Sequence, residues 1–598
     1  VTSEPEGPAT DASTTDPTSV EAEVDEALRE SQAGDLASNP PSAAGRTLAR
    51  NSTIMASGTI VSRITGVMRD VAMTAALGFF LVSDAYSLGN SLPNIVYILV
   101  VGGALNAVFI PQLVRKMKED EDGGVAYADR LLTLVATVLL TLSILAVLLA
   151  PWIVDLYTPE NYPQNEYDLA VAFARLCLPQ VFFYGIYTML SQVLNARGRF
   201  GAPMFAPIAN NIIAIATFAL FIAVAGTSAA ADGQLSTTEV LILGVGTTLG
   251  VVAQALILIP VLWRSGYMWK PRFDWRGAGL GKAGGLAMWT IGLVLVNQLT
   301  YILITRLATL ANVNASEAGK VAAGLTTYQK AHLVFVLPHS IITVSVVTAM
   351  LPALSRVAHS GNLRQVGSDV ARTMRTVGAL IVPIAAILIV NGGTLAVLLF
   401  GYGAATPSQA ALMGAIVSVF TIGLLPFTLF YILLRGYYAL EDTRTPFWMT
   451  VIYSIVMLAL MYPLFYFAAP GGNQVAAIAL AYSLAYWLAL VVTWWVLARR
   501  LGSMDTSRTA WSLGRMVLAG GLAVLVMLMT LGGLLFIETG GIAATSKPTL
   551  LVNLIVTSVV GLVVYLLAAW ALRIREVSDV LSLVRRIPAR LKRGGGQR

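Results

Sequence analysis

In the stretch "GTIVSRITGVMRDV", residues 58–71, an apolar run carries Arg63, Arg69 and Asp70. Two guanidiniums against one carboxylate leave a planar fork in surplus, and such a fork grips carboxylate or phosphate through paired hydrogen bonds. Arg63 and Asp70 stand two helical turns apart and so share a face of a helix. If the span begins near Thr53, Arg63 lies about 15 Å along its axis, close to the midplane of a bilayer. A charge at that depth costs roughly 2.5 to 3.5 kcal/mol, so it faces a bundle interior or a watery cavity. Two readings stay open: a structural pair between Arg63 and Asp70, or a cationic cavity for an anionic ligand.

The next apolar run adds Asp84 near its outer end, then Asn90, Asn94 and Asn106, with Pro93, Gly102 and Gly103 between them. Proline frees a backbone carbonyl and glycine lets helices approach, features that packing alone also explains. Farther along, Arg175, Gln180, Arg306, Lys330, His332 and His339 bring more polarity into apolar spans. Arg306, Lys330 and His332 sit where they would also reach an interface by snorkelling. Catalytic chemistry has little support. The chain has one cysteine, Cys177, and three histidines, and neither HExxH nor GxxxxGK[ST] occurs, so no metal site, cofactor or enzymatic activity is expected.

The elements that must position these residues are membrane helices. Of 598 residues, 56% are hydrophobic and 12% charged, against roughly 25% charged in soluble domains. Apolar stretches of twenty or more residues recur, too long for barrel strands, and lipid demands that each backbone satisfy itself. The fold class is therefore all-α, a polytopic bundle of about fourteen spans, the first at 53–79 and the last at 548–572. Loops rich in arginine and lysine, among them Arg197 and Arg199, Arg435 and Arg444, Arg499 and Arg500, alternate with nearly uncharged ones such as "YGAATPSQ". By the positive-inside rule both termini are cytoplasmic in a multi-pass cell membrane protein.

Residues 1–45 hold ten acids and one arginine, with no apolar period, which reads as a disordered tail rather than a signal peptide. An internal echo organises the remainder. "FIPQLVRKM" and "MLPALSRVA" place Pro111 and Pro352 241 residues apart, while "LNARGRFGAPMF" and "YYALEDTRTPFW" place Pro203 and Pro446 243 apart. Parallel repeats of six spans follow, giving a first lobe at 50–266, a second at 280–500, two more helices at 510–575 and a basic cytoplasmic tail at 576–598.

At "SRITGVMRDVAMTAALG", "SDAYSLGNSLPN", "GGALNAVFIPQLVRKM" and "RGYYALEDTRTP" the chain resembles the lipid II flippase family, MurJ or MviN, of the multidrug, oligosaccharidyl-lipid and polysaccharide exporter superfamily. The resemblance implies a V-shaped pair of lobes, a groove for a polyprenyl tail beside the last two helices, and a cationic central cavity that binds the pyrophosphate and sugar-peptide head group of lipid II. The residues it points to here are Arg63, Arg69, Asp70 and Asp84, and Asn94, Lys330 and His332 join them as candidates for the cavity lining. Two departures stand out. Val96, Tyr97 and Ile98 occupy the place of a family arginine, and the nearest cations to the proline of the eighth span are Lys330 and His332. The expected partners are lipid II or a similar polyprenyl-pyrophosphate glycolipid, membrane lipids, and cell-wall synthesis proteins met through the tails, with no nucleic acid. The competing classes are a flippase for another polyprenyl-linked glycan and a non-transporting membrane scaffold, which has no need of a mid-depth arginine.

Overall fold

The computed structural model describes residues 43–99, 122, 124–274, 284–502, 504–538 and 541–579. The acidic tail up to residue 42, Gly102, Gly103, Asn106 and the basic segment after Asp579 lie outside the described residues. The chain divides into two units between Ile60 and Val61. Over its described residues the first unit is the beginning of one helix, α1 (Ala43–Leu77).

Besides a four-residue helix at Gly541–Ala544 and a π-turn at His339–Thr343, the second unit holds the rest of α1 and the later helices. These are α2 (Leu81–Tyr97), α3 (Val125–Leu148), α4 (Ala150–Tyr157), α5 (Gln164–Cys177), α6 (Gln180–Ala196), α7 (Gly201–Ala225), α8 (Thr237–Leu256), α9 (Leu258–Arg264), α10 (Gly284–Glu317), α11 (Leu325–Pro338), α12 (Val344–His359), α13 (Leu363–Phe400), α14 (Pro407–Thr421), α15 (Leu424–Ala439), α16 (Arg444–Phe467), α17 (Gly472–Leu501), α18 (Thr506–Glu538) and α19 (Lys547–Ala571). No strand occurs among the described residues.

Local sequence sets many of the helix ends. Ser236 opens α8 with a reciprocal cap, its hydroxyl accepting from Glu239 N while Glu239 accepts from Ser236 N. Thr406 does the same for α14, where Pro407 fills a first-turn position that needs no N–H donor. Pro338 cannot donate inside its helix, and the chain answers with one π-turn, His339–Thr343, between α11 and α12.

Eleven described helices or helix runs are long and apolar enough to cross a membrane, or twelve if α14 and α15, bent by 49° at their junction, form one span. The expected fourteen is not reached on that test. The two segments left over are α1, interrupted by Arg63, Arg69 and Asp70, and α2, with seventeen described residues.

Within the first set of helices α2 packs on α5, α3 on α6 and α7 on α8. In the second set α13 packs on α14, α16 on α17 and α11 on α14. The sets meet where α2 touches α10 and α11. The last pair, α18 and α19, pack on each other and on α13. There Thr557 donates to Asn391 Oδ1 at 2.7 Å and Tyr565 to Ala379 O at 3.3 Å. Buried hydroxyls and amides bonded this way fix helix register where lipid offers no hydrophobic drive between helices.

Candidate functional site

Where the two sets face each other lies a cavity of about 510 Å³. Its charged lining is Arg69 and Asp70 from α1 and Lys330 from α11. The remainder is rich in amides and hydroxyls: Asn90, Asn94, Gln180, Asn210, Gln298, Gln329, Ser87, Ser91, Thr247 and the rings of Tyr86, Tyr184 and Tyr301.

Asp70 is 8% exposed and holds two cations. Lys330 Nζ donates to its Oδ1, and Arg69 Nη2 lies 3.3 Å from its Oδ2. Lys330 is itself only 6% exposed, so its charge is neutralised across the junction by a carboxylate of the other helix set. Arg69 differs. Its side chain keeps 38% of its surface, and its second fork nitrogen reaches Asn211 Oδ1 at 3.3 Å. Asn211 in turn donates to Ser62 O at 3.1 Å and Thr65 Oγ1 at 3.0 Å, so α7 fixes both the guanidinium and the helix that carries it. The cluster carries one positive charge in excess, on the side chain that faces open space. That is the electrostatics of an anion site.

Asp84 does not line the cavity; it closes the junction above. The N-terminus of α11 presents its first backbone donors to this carboxylate, with Thr326 N at 2.7 Å and Leu325 N at 3.1 Å, while Asn312 Nδ2 adds a third bond at 2.8 Å. A helix start carries partial positive charge and unpaired N–H groups, so a carboxylate from another element caps it well. Gly324 makes room: a Cβ there would lie 2.0 Å from Asp84 Oδ2. Ser83 and Ser87 bond Thr326 Oγ1 at 3.1 and 2.8 Å. Nearby, Ala404 N donates to Ala75 O at 2.8 Å, an approach permitted by Gly403 at φ 59°, where a Cβ would meet that carbonyl.

Arg63 and Asp70 do not pair. Counted back from Leu77, Asp70 lies about 10 Å and Arg63 about 21 Å along α1, and the carboxylate is engaged by Lys330 before Arg63 comes within reach. Arg63 Nη1 instead donates to Ser340 Oγ at 2.7 Å, joining α1 to the π-turn after Pro338. His332 is separated from Lys330 by two residues, about 200° around the helix, and so turns away from the cavity. It enters an aromatic cluster with Tyr328, Phe335, Phe420 and Tyr482, its Nε2 3.3 Å from the Tyr482 hydroxyl. The structure thus brings Arg69, Asp70, Asn94 and Lys330 to one cavity, puts Asp84 and Arg63 on the junctions beyond it, and leaves His332 outside.

Sequence reasoning passed over Asn210 and Asn211, Gln329 and Ser340. The adjacent asparagines in "APIANNIIAIA" were the available signal, since paired amides inside an apolar span require partners. Gln329, which bonds Ser91 at 3.1 Å and Tyr301 at 3.0 Å, and Ser340 carry no such mark in one dimension.

Comparison with known proteins bears on all of this. Residues 73–548 match the family model described as "Lipid II flippase MurJ". A "Probable lipid II flippase MurJ" of Rhizobium meliloti (strain 1021) is 28% identical over 442 residues, covering 73% of this chain and 79% of the relative. The "Lipid II flippase MurJ" of Burkholderia cenocepacia is 26% identical over 394 residues, 65% of this chain and 72% of its own. Among solved structures, "Lipid II flippase MurJ, inward closed conformation" superposes with a TM-score of 0.65 at 19% identity, over 86% of this chain and 98% of that one. An inward-facing multidrug transporter of the MATE family gives 0.58 at 13% identity, over 76% and 99%. Those two likenesses establish a shared helical fold.

Proposed function

The chain belongs to the lipid II flippase MurJ family, and on that premise we propose that it carries lipid II, the lipid-linked peptidoglycan precursor, from the inner to the outer leaflet by alternating access. The observation that carries this reading is the Arg69–Asp70–Lys330 cluster in an amide-lined cavity between the two helix sets. A pyrophosphate takes the exposed guanidinium of Arg69, competing with Asn211 and Asp70 for its fork, and its second phosphate competes with Asp70 for Lys330. The amides and hydroxyls from Asn90 to Gln329 offer donors and acceptors to the hydroxyl and acetamido groups of a sugar.

Binding and motion are coupled through the same atoms. The Asp70–Lys330 bond ties α1 to α11. When an anion shares Lys330, that tie weakens, and what still holds the outer junction is the cap of Asp84 on α11. Releasing the cap opens the cavity toward the outer leaflet. A ligand shifts such an equilibrium only by its differential affinity for the two states, which the shared lysine supplies.

The loops rich in arginine lie on the cytoplasmic side in this reading, with both termini there. The acidic tail has no apolar surface to add to the fold and is dispensable for flipping, serving instead as a contact for cell-wall synthesis proteins. The test is depletion of the protein followed by analysis of the lipid-linked precursors in the inner leaflet. Accumulation of lipid II supports the proposal; accumulation of a different polyprenyl-linked glycan, with lipid II at its normal level, overturns the choice of substrate.

A further inference from the structure

A second concave, positively charged site lies away from the central cavity, at the arginine-rich ends of α18 and α19. It has a volume of about 600 Å³ and is lined by Arg508, Ser512 and Arg515 on one side and by Trp570, Arg573 and Arg575 on the other. Glu576 also lines it, but that carboxylate is already engaged. Arg375 of α13 pairs with Glu576 Oε1 at 3.0 Å, and Ser512 donates to its Oε2 at 3.0 Å. Arg375 is 6% exposed, so its charge and that of Glu576 cancel inside the fold. Four arginines remain, with no ion pair to any described residue.

Two details separate this site from an ordinary solvated basic surface. Arg515 donates one fork nitrogen to Leu572 O at 2.9 Å, the carbonyl ending α19, while its Nε is buried without a partner among the described residues. A buried donor left open in that way is costly unless something else accepts its hydrogen. Arg573 stands just past the end of α19 at φ 53°, a left-handed position that glycine occupies without strain and other residues at a cost. An arginine held there against that preference points to work done by its side chain.

The surroundings indicate the source of the ligand. Trp511, 67% exposed, and Trp570, 80% exposed, flank the site, and beyond them Leu518, Leu522, Val563 and Leu567 form an exposed apolar surface on the same two helices. Exposed tryptophans mark the level of lipid headgroups in membrane proteins, and basic pockets between helix ends at that level take anionic headgroups.

We propose that this site binds a phosphate-bearing anion, with Arg508, Arg515, Arg573 and Arg575 as its ligands, and that the anion is the headgroup of an acidic phospholipid whose chains lie along α18 and α19. The site does not rest on the identity of the substrate and would stand if the transported lipid were not lipid II.

The test uses the full chain purified in neutral detergent. Phosphatidylglycerol, phosphatidylcholine and inorganic phosphate are added separately, with bound lipid counted by native mass spectrometry and stability followed by thermal melting. Phosphatidylglycerol should stay bound and raise the melting temperature, whereas phosphatidylcholine should not. If inorganic phosphate stabilises the protein as well as phosphatidylglycerol does, the site holds but its ligand is the free anion. The variant Arg573→Gly, Arg575→Gln should weaken phosphatidylglycerol about tenfold or more, as expected for lost charge-assisted hydrogen bonds. In phosphatidylcholine alone it should melt no lower than wild type, because glycine relieves the strained position. Arg508→Gln should weaken the same lipid without altering the fold, and Arg575→Lys should retain part of the affinity. Wild-type affinity for phosphatidylglycerol in both glutamine-bearing variants would overturn the assignment, as would failure of both phosphatidylglycerol and phosphate to bind wild type.

Discussion

The interiors of the two helix sets are built from opposite materials. The first gives the cavity Arg69, Asp70, Asn90, Asn94, Gln180 and Asn210, polar side chains with open space before them. The second fills its own interior with rings. Tyr328, Phe335, Phe420 and Tyr482 surround His332, and Phe427, Tyr453 and Tyr486 extend the block, with centroids as close as 4.3 Å between Tyr453 and Tyr486. From this dry block it extends Lys330, Gln329, Gln298 and Tyr301 toward the cavity. In the proposed reading the first set supplies most of the contacts to the ligand, and the second presents Lys330 to it. Two halves with echoing sequences therefore need not share a task, because which face of each helix is polar decides what the half can hold.

The contrast fails most visibly if the bond joining the halves is removed. Asp70→Asn leaves the buried Lys330 uncompensated, and breaking a buried pair costs about 3 to 5 kcal/mol. Thermal melting in detergent should drop by several degrees and transport should be lost. Adding Lys330→Gln should recover stability, since the unpaired charge is gone, but not transport. Recovery of both would mean that the pair is only structural.

Next in size is the junction closed by Asp84. Gly324→Val places a Cβ within 2.0 Å of Asp84 Oδ2 and cannot coexist with the cap on α11. Asn90→Cys, in a chain whose sole native cysteine is the buried Cys177, then reports access from outside the cell. Labelling by a membrane-impermeant maleimide should rise severalfold in the Gly324→Val background. Unchanged labelling would remove Asp84 from the gate.

A smaller effect is expected inside the aromatic block. Tyr482→Phe deletes the hydroxyl beside His332 Nε2 while keeping the ring, so the loss should be about 0.5 to 1.5 kcal/mol, with transport near that of wild type. A severe transport defect without loss of stability would give the second interior a direct role. The same comparison bears on the driving force, because the surplus positive charge sits in the cavity, where a membrane potential acts on it. Flipping in vesicles should follow a potassium-valinomycin potential and persist when sodium is replaced.

Much of this was legible in one dimension. Helical class, the polar first span and the roles open to Arg69, Asp70 and Lys330 follow from charges placed in apolar runs, because lipid makes each such residue an exception that needs a partner. What the sequence did not disclose is which partner. Periodicity along α1 put Arg63 and Asp70 on one face, yet the partner of Asp70 came from α11, 260 residues away. His332 was indistinguishable from Lys330 by depth, and only the turn of α11 separates their surroundings. Gly324 and Asn312 carry no signal until α2 is brought against α11, since their task is to admit a carboxylate from another element.

The central claim is that the Arg69–Asp70–Lys330 cluster holds the pyrophosphate of the transported lipid. The direct measurement is equilibrium binding of purified lipid II to the full chain by native mass spectrometry, comparing wild type with Arg69→Gln, Lys330→Gln and the Arg508→Gln variant as a control at the second basic site. Each loss of a charged hydrogen-bond donor in the cavity should weaken lipid II about tenfold or more, while Arg508→Gln leaves it unchanged. Equal affinity for lipid II in wild type and both cavity variants would contradict the account.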